Sequence, residues 1–223
     1  MLKKLRMAFI TAFLACAAVP ALTSCSESEE TENEYSDWKN RNSAYFAHIM
    51  RITGDSIAEA RAVYGSSWEQ YCNRRQYLCY SRDNGSEHPQ TDSIAVEILK
   101  RGTGTESPFT TDSVRIAYRT ILMPTSEHPT GLVVDHTGIS TDYNKVFDRA
   151  TMSPTKFRVS ALVRGVGTAL LHMHTGDRWR ITIPPELAYG EQGGAAIPKN
   201  SVIIFEVELV GFYRFGTIPG DWQ

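Results

Sequence analysis

The stretch Arg180-Ile-Thr-Ile-Pro-Pro-Glu-Leu-Ala-Tyr-Gly190, followed by Ile197-Pro198 and then Ser201-Val-Ile-Ile-Phe-Glu-Val-Glu-Leu-Val210, constrains the fold more than any other part of the chain. The two apolar runs read as strands. The Pro- and Gly-rich span between them reads as a loop with Tyr189 and Ile197 at its ends. Two strands joined in this way need further strands beside them, so upstream strand signals carry the next step.

Those signals occur in order. Ile94–Leu99 reads as a strand and Gly102-Thr-Gly104 as a turn, with a second strand over Asp112–Tyr118. Then come the pair Phe147-Asp148, the run Val163-Arg-Gly165 leading into Leu170, and Met173-His-Thr-Gly176. Together these motifs resemble the FKBP-type peptidyl-prolyl cis/trans isomerases over roughly residues 94 to 212, about half of the chain. The resemblance implies an α+β fold: an FKBP-like bent antiparallel sheet wrapped around a short helix, here preceded by a small helical N-terminal region. It places that helix over Gly165–His174, with Leu162, Val166, Ala169, Leu170 and Met173 spaced to face the sheet.

The activity implied is rotation about Xaa-Pro bonds, which requires no nucleophile, metal or cofactor. By resemblance, Tyr118, Phe147 and Phe205 form aromatic walls, Leu162 and Val163 one side, and Ile197 another. Tyr189 donates its hydroxyl to a substrate carbonyl, and Asp148 at the edge orients polar groups or bonds a tyrosine hydroxyl. Taken singly, Phe147 and Phe205 are ordinary core residues and Tyr189 a loop cap; their register with the signature carries the functional reading. The chain also departs from the family. Val166 stands where an indole floor is common, Arg149–Pro154 holds no clear match to the usual basic residue after the Phe-Asp pair, and Gly193-Gly-Ala-Ala196 replaces a loop that often bears another polar or aromatic group. Two functions follow: an isomerase, or a catalytically weak chaperone or peptide-binding module using the same cleft. The partners implied are proline-containing segments of exported proteins.

Export is read from the N-terminus. Met1–Arg6 is cationic and Met7–Val19 is an apolar run too short to span a bilayer, the pattern of a secretory signal. Leu22-Thr-Ser-Cys25 resembles the bacterial lipobox, which makes Cys25 a lipidation site; ordinary signal cleavage nearby is the alternative. Removal of residues 1–24 takes Lys3, Lys4 and Arg6 away and moves the formal charge from −2 to −5. Five glutamates in the nine residues Ser26–Glu34 form a solvated tether. The organisation read here is therefore a signal (1–24), a tether (25–35), a helical region (36–92), the FKBP-like domain (93–212) and a tail (213–223). The location implied is the outer membrane of a Gram-negative bacterium, on the periplasmic side or the cell surface. With no Lys/Arg run of five and a weakly negative charge, nucleic acid is not a partner.

Within the helical region, Trp38, Tyr45, Ile49 and Ile52 share one face, and Gly54-Asp55-Ser56 interrupts the pattern so that Ser56 caps a second helix ending at Gly65. Trp68–Tyr80 is ambiguous, with a strand at its end before Asp83-Asn-Gly85, and its aromatic residues read as core. The region packs on the isomerase domain or on a second copy of itself. Cys72 and Cys79 are equally a disulfide or two thiols. The 28 residues between Tyr118 and Phe147 form an inserted hairpin or long flap near the cleft rim. His172 and His174 splay apart at the helix end and read as solvated or structural, and Thr175-Gly-Asp177 is a turn.

Overall fold

The computed structural model describes residues 33–139 and 146–217. The signal segment, Cys25, the acidic run as far as Glu32 and the end of the tail lie outside the described residues. Seven strands, β1 (Arg74–Leu78), β2 (Ser93–Lys100), β3 (Ser113–Leu122), β4 (Val133–His136), β5 (Thr155–Arg158), β6 (Arg178–Ile183) and β7 (Ile203–Tyr213), form one antiparallel sheet. Their order is β1-β2-β6-β7-β3-β4, with β5 also paired to β3. β4 and β5 share the outer edge of β3: Arg119 faces His136, whereas Val114 faces Phe157.

Alternation along the strands divides the sheet into two faces. Ile94, Val96 and Ile98 of β2 point inward with Trp179, Ile181 and Ile183 of β6 and with Ile203, Phe205, Val207 and Leu209 of β7. The short helix α3 (Arg164–Leu170) crosses this face and adds Val166, Ala169 and Leu170 to the same core. Its close approach depends on Gly165, where a Cβ would stand 2.3 Å from Ile183 Cγ2. The helix is shorter than the Gly165–His174 expected. From Leu171 the chain continues in tight turns, because the Asp177 carboxylate captures the His174 N–H (2.8 Å) and draws the backbone towards β6. Met173 still reaches the core, while Leu162 is only half-buried.

The opposite face carries the helix α1 (Trp38–Tyr64) over β1, β2 and β6. Its buried stripe is Trp38, Asn42, Phe46, Met50, Thr53, Ile57 and Ala60, spaced three or four apart. This corrects the expected face: Tyr45, Ile49 and Ile52 lie beside the stripe, half-buried. It also corrects the expected break. α1 runs unbroken through Gly54, and Ser56 does not cap a second helix; its hydroxyl donates to the Ile52 carbonyl one turn back (2.8 Å). A mid-helix glycine costs about 1 kcal/mol relative to alanine, and packing against β1, where Gln76 Nε2 donates to the Met50 carbonyl (2.6 Å), offsets it. Gly65, at φ 55°, ends the helix.

A one-turn helix α2 (Trp68–Tyr71) leads into β1, which stops at Leu78, ahead of Asp83-Asn-Gly85. The aromatic residues here are not all core: Tyr71 and Tyr80 are exposed, and Tyr71 stacks on Tyr64 (4.2 Å) at the surface. Trp68 instead carries the guanidinium groups of Arg61 (4.7 Å) and Arg75 (4.6 Å) on its ring. Cys72 and Cys79 are buried free thiols. On the outer face, Glu206 is 2% exposed and held by Arg119, Arg178 (3.5 Å) and Arg180 (3.9 Å), so its buried charge is compensated.

Candidate active site

The concave face gathers most of the aromatic residues singled out above. Thr120 is paired with Phe205, which makes Tyr118 of β3 and Phe205 of β7 diagonal neighbours on the inner face. Their rings stack at 5.0 Å, and Phe157 from β5 meets the Tyr118 ring edge-on at 6.0 Å. Val166, 1% exposed, closes the floor from α3. Leu162 and Val163, at the entry to α3, pack half-buried against the same core, as does Ile197. Arg164 Nη2 donates to the Glu186 carbonyl (2.9 Å) and ties the start of α3 to the turn that precedes Tyr189.

Loop geometry positions the rim. Gly190 at φ 58° donates its N–H to the Pro185 carbonyl (2.9 Å) and turns the chain immediately after Tyr189. At Gly193, φ 70°, a Cβ would lie 2.5 Å from the Ile197 carbonyl oxygen, so only glycine lets the two sides of the loop approach. Gly194 N–H donates to that carbonyl (2.8 Å), and Gly194 lies near both Ile197 and the Tyr189 ring: a Cβ there would stand 3.7 Å from each. Tyr189 is 39% exposed. Burial of part of its ring, then the nearby Asp135 charge, raises its phenol pKa, so the hydroxyl stays a protonated donor across the physiological range.

The carboxylate that meets the Tyr118 hydroxyl is Asp135 on β4. Tyr118 Oη donates to Asp135 Oδ2 at 2.8 Å. Burial first, then this hydrogen bond and charge, drive the Tyr118 phenol well above its ordinary value. The Phe147-Asp148 pair does not take this place. Phe147 is buried on the outer face with Ala117 and Met152, under the Arg178 guanidinium (4.9 Å). The reason lies in strand alternation: Ala117 points away from the face that carries Tyr118. Asp148 is exposed and accepts the Ala150 N–H (2.9 Å), capping the short turn Arg149–Thr151. Reading by motif missed Asp135 and Phe157. Alternation along Val133-Val-Asp135 would have put Asp135 with Val133 on the outer face; a register shift, in which Ile121 opposes Val133 but Thr120 opposes Asp135, turns Asp135 to the face of Tyr118, and a shift of this kind leaves no spacing signal in the sequence.

Other candidate features fall outside this cleft. His172 stacks on Tyr77 (3.9 Å), where burial lowers its pKa, and His174 faces Asp177 (3.5 Å). Glu34, Glu127 and His128 bring ligand atoms within 4.8 Å of one another, an arrangement exposed acidic groups commonly adopt without an ion. A groove of about 440 Å³ on the outer face, lined by Tyr45, Ile121 and Arg119, Arg178 and Arg180 around Glu206, shares no residue with the aromatic cleft and is too charged for a proline ring. Among the described residues no helix is long and apolar enough to cross a membrane.

The chain is similar to several known proteins. The chain is 38% identical over 120 residues to the FKBP-type 22 kDa peptidyl-prolyl cis-trans isomerase of Escherichia coli, covering 52% of this chain and 48% of that protein. It is 32% identical over 126 residues to FK506-binding protein 1A of Neurospora crassa, covering 55% of this chain and 91% of that one. Among solved structures it is similar to a peptidyl-prolyl cis-trans isomerase from Pseudomonas syringae pv. tomato, with 24% identity, a TM-score of 0.45 and coverage of 75% of this chain and 96% of that one. The chain thus spans about half the length of its Escherichia coli relative and nearly all of the fungal one. Residues 104–210, which contain every wall of the cleft, match the FKBP-type peptidyl-prolyl cis-trans isomerase family, and the chain belongs to that family.

Proposed function

We propose that the chain catalyses cis/trans isomerisation of Xaa-Pro bonds in the cleft formed by Tyr118, Phe157, Phe205 and Val166. The observation that carries this reading is an apolar floor and aromatic walls with one protonated hydroxyl, Tyr189, on the rim beside Ile197. The uncatalysed barrier, about 18–20 kcal/mol, protects the partial double-bond character of the amide. In the twisted amide that conjugation is lost and charge separation falls, so an apolar site favours it over the planar ground state. A hydroxyl that holds the substrate carbonyl lets the remainder of the amide rotate against a fixed point. Each ~1.4 kcal/mol of such preference is worth roughly tenfold in rate. Asp135 acts on Tyr118, holding that ring flat against Phe205.

The substrates fit proline-containing segments of exported proteins, because Met1–Val19 has the pattern of a secretory signal and Leu22–Cys25 that of a lipid-attachment site. On this reading Cys25 and the glutamate-rich run tether the domain to the cell envelope. A second reading, a peptide-binding module with little turnover, draws on Val166, which offers a proline ring no aromatic face to stack on.

NMR exchange spectroscopy on a short Xaa-Pro peptide with the full chain tests the first reading. Acceleration is expected, falling about tenfold in Tyr189→Phe with unchanged melting temperature, the loss set by one hydrogen bond. Peptide binding without acceleration would overturn catalysis and leave the binding module.

A further inference from the structure

We infer that Trp38 and Asn42, on the N-terminal helix outside the region matching the family, are positioning residues for the cleft: they latch the segment Pro198–Val202 and so set where Ile197 stands against Tyr189. The inference rests on the isomerase reading for its effect on rate, though not for the latch itself.

Two hydrogen-bonded links leave α1 for this loop. Trp38 Nε1 donates to Ser201 Oγ (2.9 Å), and Ser201 Oγ donates in turn to the Pro198 carbonyl (2.6 Å). The chain of donors therefore ends on the residue next to Ile197. Asn42, wholly buried, donates Nδ2 to the Trp38 carbonyl (2.7 Å), which fixes its amide so that Oδ1 accepts the Val202 N–H (2.8 Å). Val202 is itself fully buried between Phe46 and Met50 of α1 and Ala95 of β2. A buried backbone N–H needs a partner, and here the helix supplies the one that β7, which begins at Ile203, does not.

The loop needs such a hold. Between Tyr189 and Ser201 the backbone takes positive φ at Gly190, at Gly193 and, unusually for a residue with a side chain, at Asn200 (φ 59°). Its internal bonds, Gly194 to Ile197 and Asn200 to Gly190, tie the loop to itself and not to the sheet. A conformation of this kind persists where surrounding structure over-determines it. The exposed Lys39–Glu191 pair (3.5 Å) adds little to the latch. Because Ile197 is a wall of the cleft, freedom gained at Pro198–Val202 becomes freedom of that wall, and a loosened wall holds the twisted amide less well.

The test compares Trp38→Phe, which keeps an aromatic ring but deletes the indole N–H, with Ser201→Ala and the double variant, all in the full chain. Three readouts are taken: kcat/KM on an Xaa-Pro peptide, the affinity of that peptide, and amide hydrogen exchange at residues 197–202. Ile57→Val, which trims the same helix at its far end, controls for loss of stability. The expected result is a fall of roughly three- to tenfold in kcat/KM for each latch variant. The double variant should fall no further than Ser201→Ala, with faster exchange confined to 197–202, and Ile57→Val should stay within twofold of the unmodified protein. Unchanged exchange at 197–202 in Trp38→Phe and Ser201→Ala overturns the latch, as does an equal fall in Ile57→Val. An unmodified protein without turnover defeats the isomerase reading alone. In that case faster exchange and weaker peptide binding in the latch variants still support the latch, and unchanged values of both overturn it.

Discussion

Replacing Asp135 by alanine removes the carboxylate that accepts the Tyr118 hydroxyl at 2.8 Å. A hydrogen bond to a charged group is worth about 1.5–3 kcal/mol, and because Asp135 is exposed, solvent screening reduces its share here to roughly 1 kcal/mol. If that energy orients Tyr118 against Phe205 during rotation, kcat/KM falls about fivefold. The phenol gives an independent reading. Burial, the bond to Asp135 and the Asp135 charge all raise the Tyr118 pKa, so Asp135→Ala leaves burial as the main cause and the phenol ionises at lower pH. A group whose folded pKa lies above its unfolded value of 10.0 gives stability that is complete below that pH and lost as pH rises through the folded pKa. The unmodified protein therefore loses part of its stability above pH 10.0, and Asp135→Ala should lose less of it over the same range. Ultraviolet titration of the phenolate and urea melts at alkaline pH measure this, with peptide exchange giving kcat/KM. Asp148→Ala is the comparison, expected to stay within about twofold since its carboxylate caps a surface turn. Equal losses in the two variants, or a Tyr118 titration that ignores Asp135, would refute the assignment of the carboxylate to the hairpin strand.

Gly165→Ala drives a methyl to within 2.3 Å of Ile183 Cγ2; overpacking of this kind costs about 1–3 kcal/mol, visible as a lowered thermal midpoint. Ile183→Ala removes the Cγ2 that the new methyl meets, so Gly165→Ala should cost less in that background than in the unmodified chain, and full additivity of the two would show that the clash is not the cause. At the other end of the sheet, burial pushes the Asp112 carboxyl up. The N–H groups of Phe109 and Phe215 together with Arg214 outweigh that and hold it below its ordinary value of 3.8. A depressed carboxylate gives stability that is present above the unfolded pKa and lost as pH falls through the folded one. Acid unfolding monitored below pH 3.8 should accordingly be less steep in Asp112→Asn than in the unmodified protein, and parallel curves would count against this source of acid sensitivity.

The sequence by itself determined the strands flanking the 184–202 loop, the turn at Gly102–Gly104 and the helix on the concave face. In each of these, local pattern and final environment agree: runs rich in apolar residues meet a sheet buried under α3 on one face and partly under α1 on the other, and glycine occurs where backbones close in. The placement of Tyr118, Phe205, Val166 and Ile197 around one core was legible for the same reason, since they lie inside or beside those regular elements. Which acid stands at the Tyr118 hydroxyl is a matter of tertiary structure, because two segments of the 119–148 stretch carry an apolar-acidic pair and only pairing with β3 brings Asp135, and not Asp148, to that ring. Tertiary structure likewise decided that α1 runs through Gly54, since local propensity there is outweighed by burial against β1 and β2. And it brought Trp38 and Asn42 to Ser201 and Val202, some 160 residues away, through hydrogen bonds with no spacing rule for a sequence to display. Period and turn chemistry act between near neighbours; which distant backbone group a buried side chain satisfies is settled only when the whole chain packs.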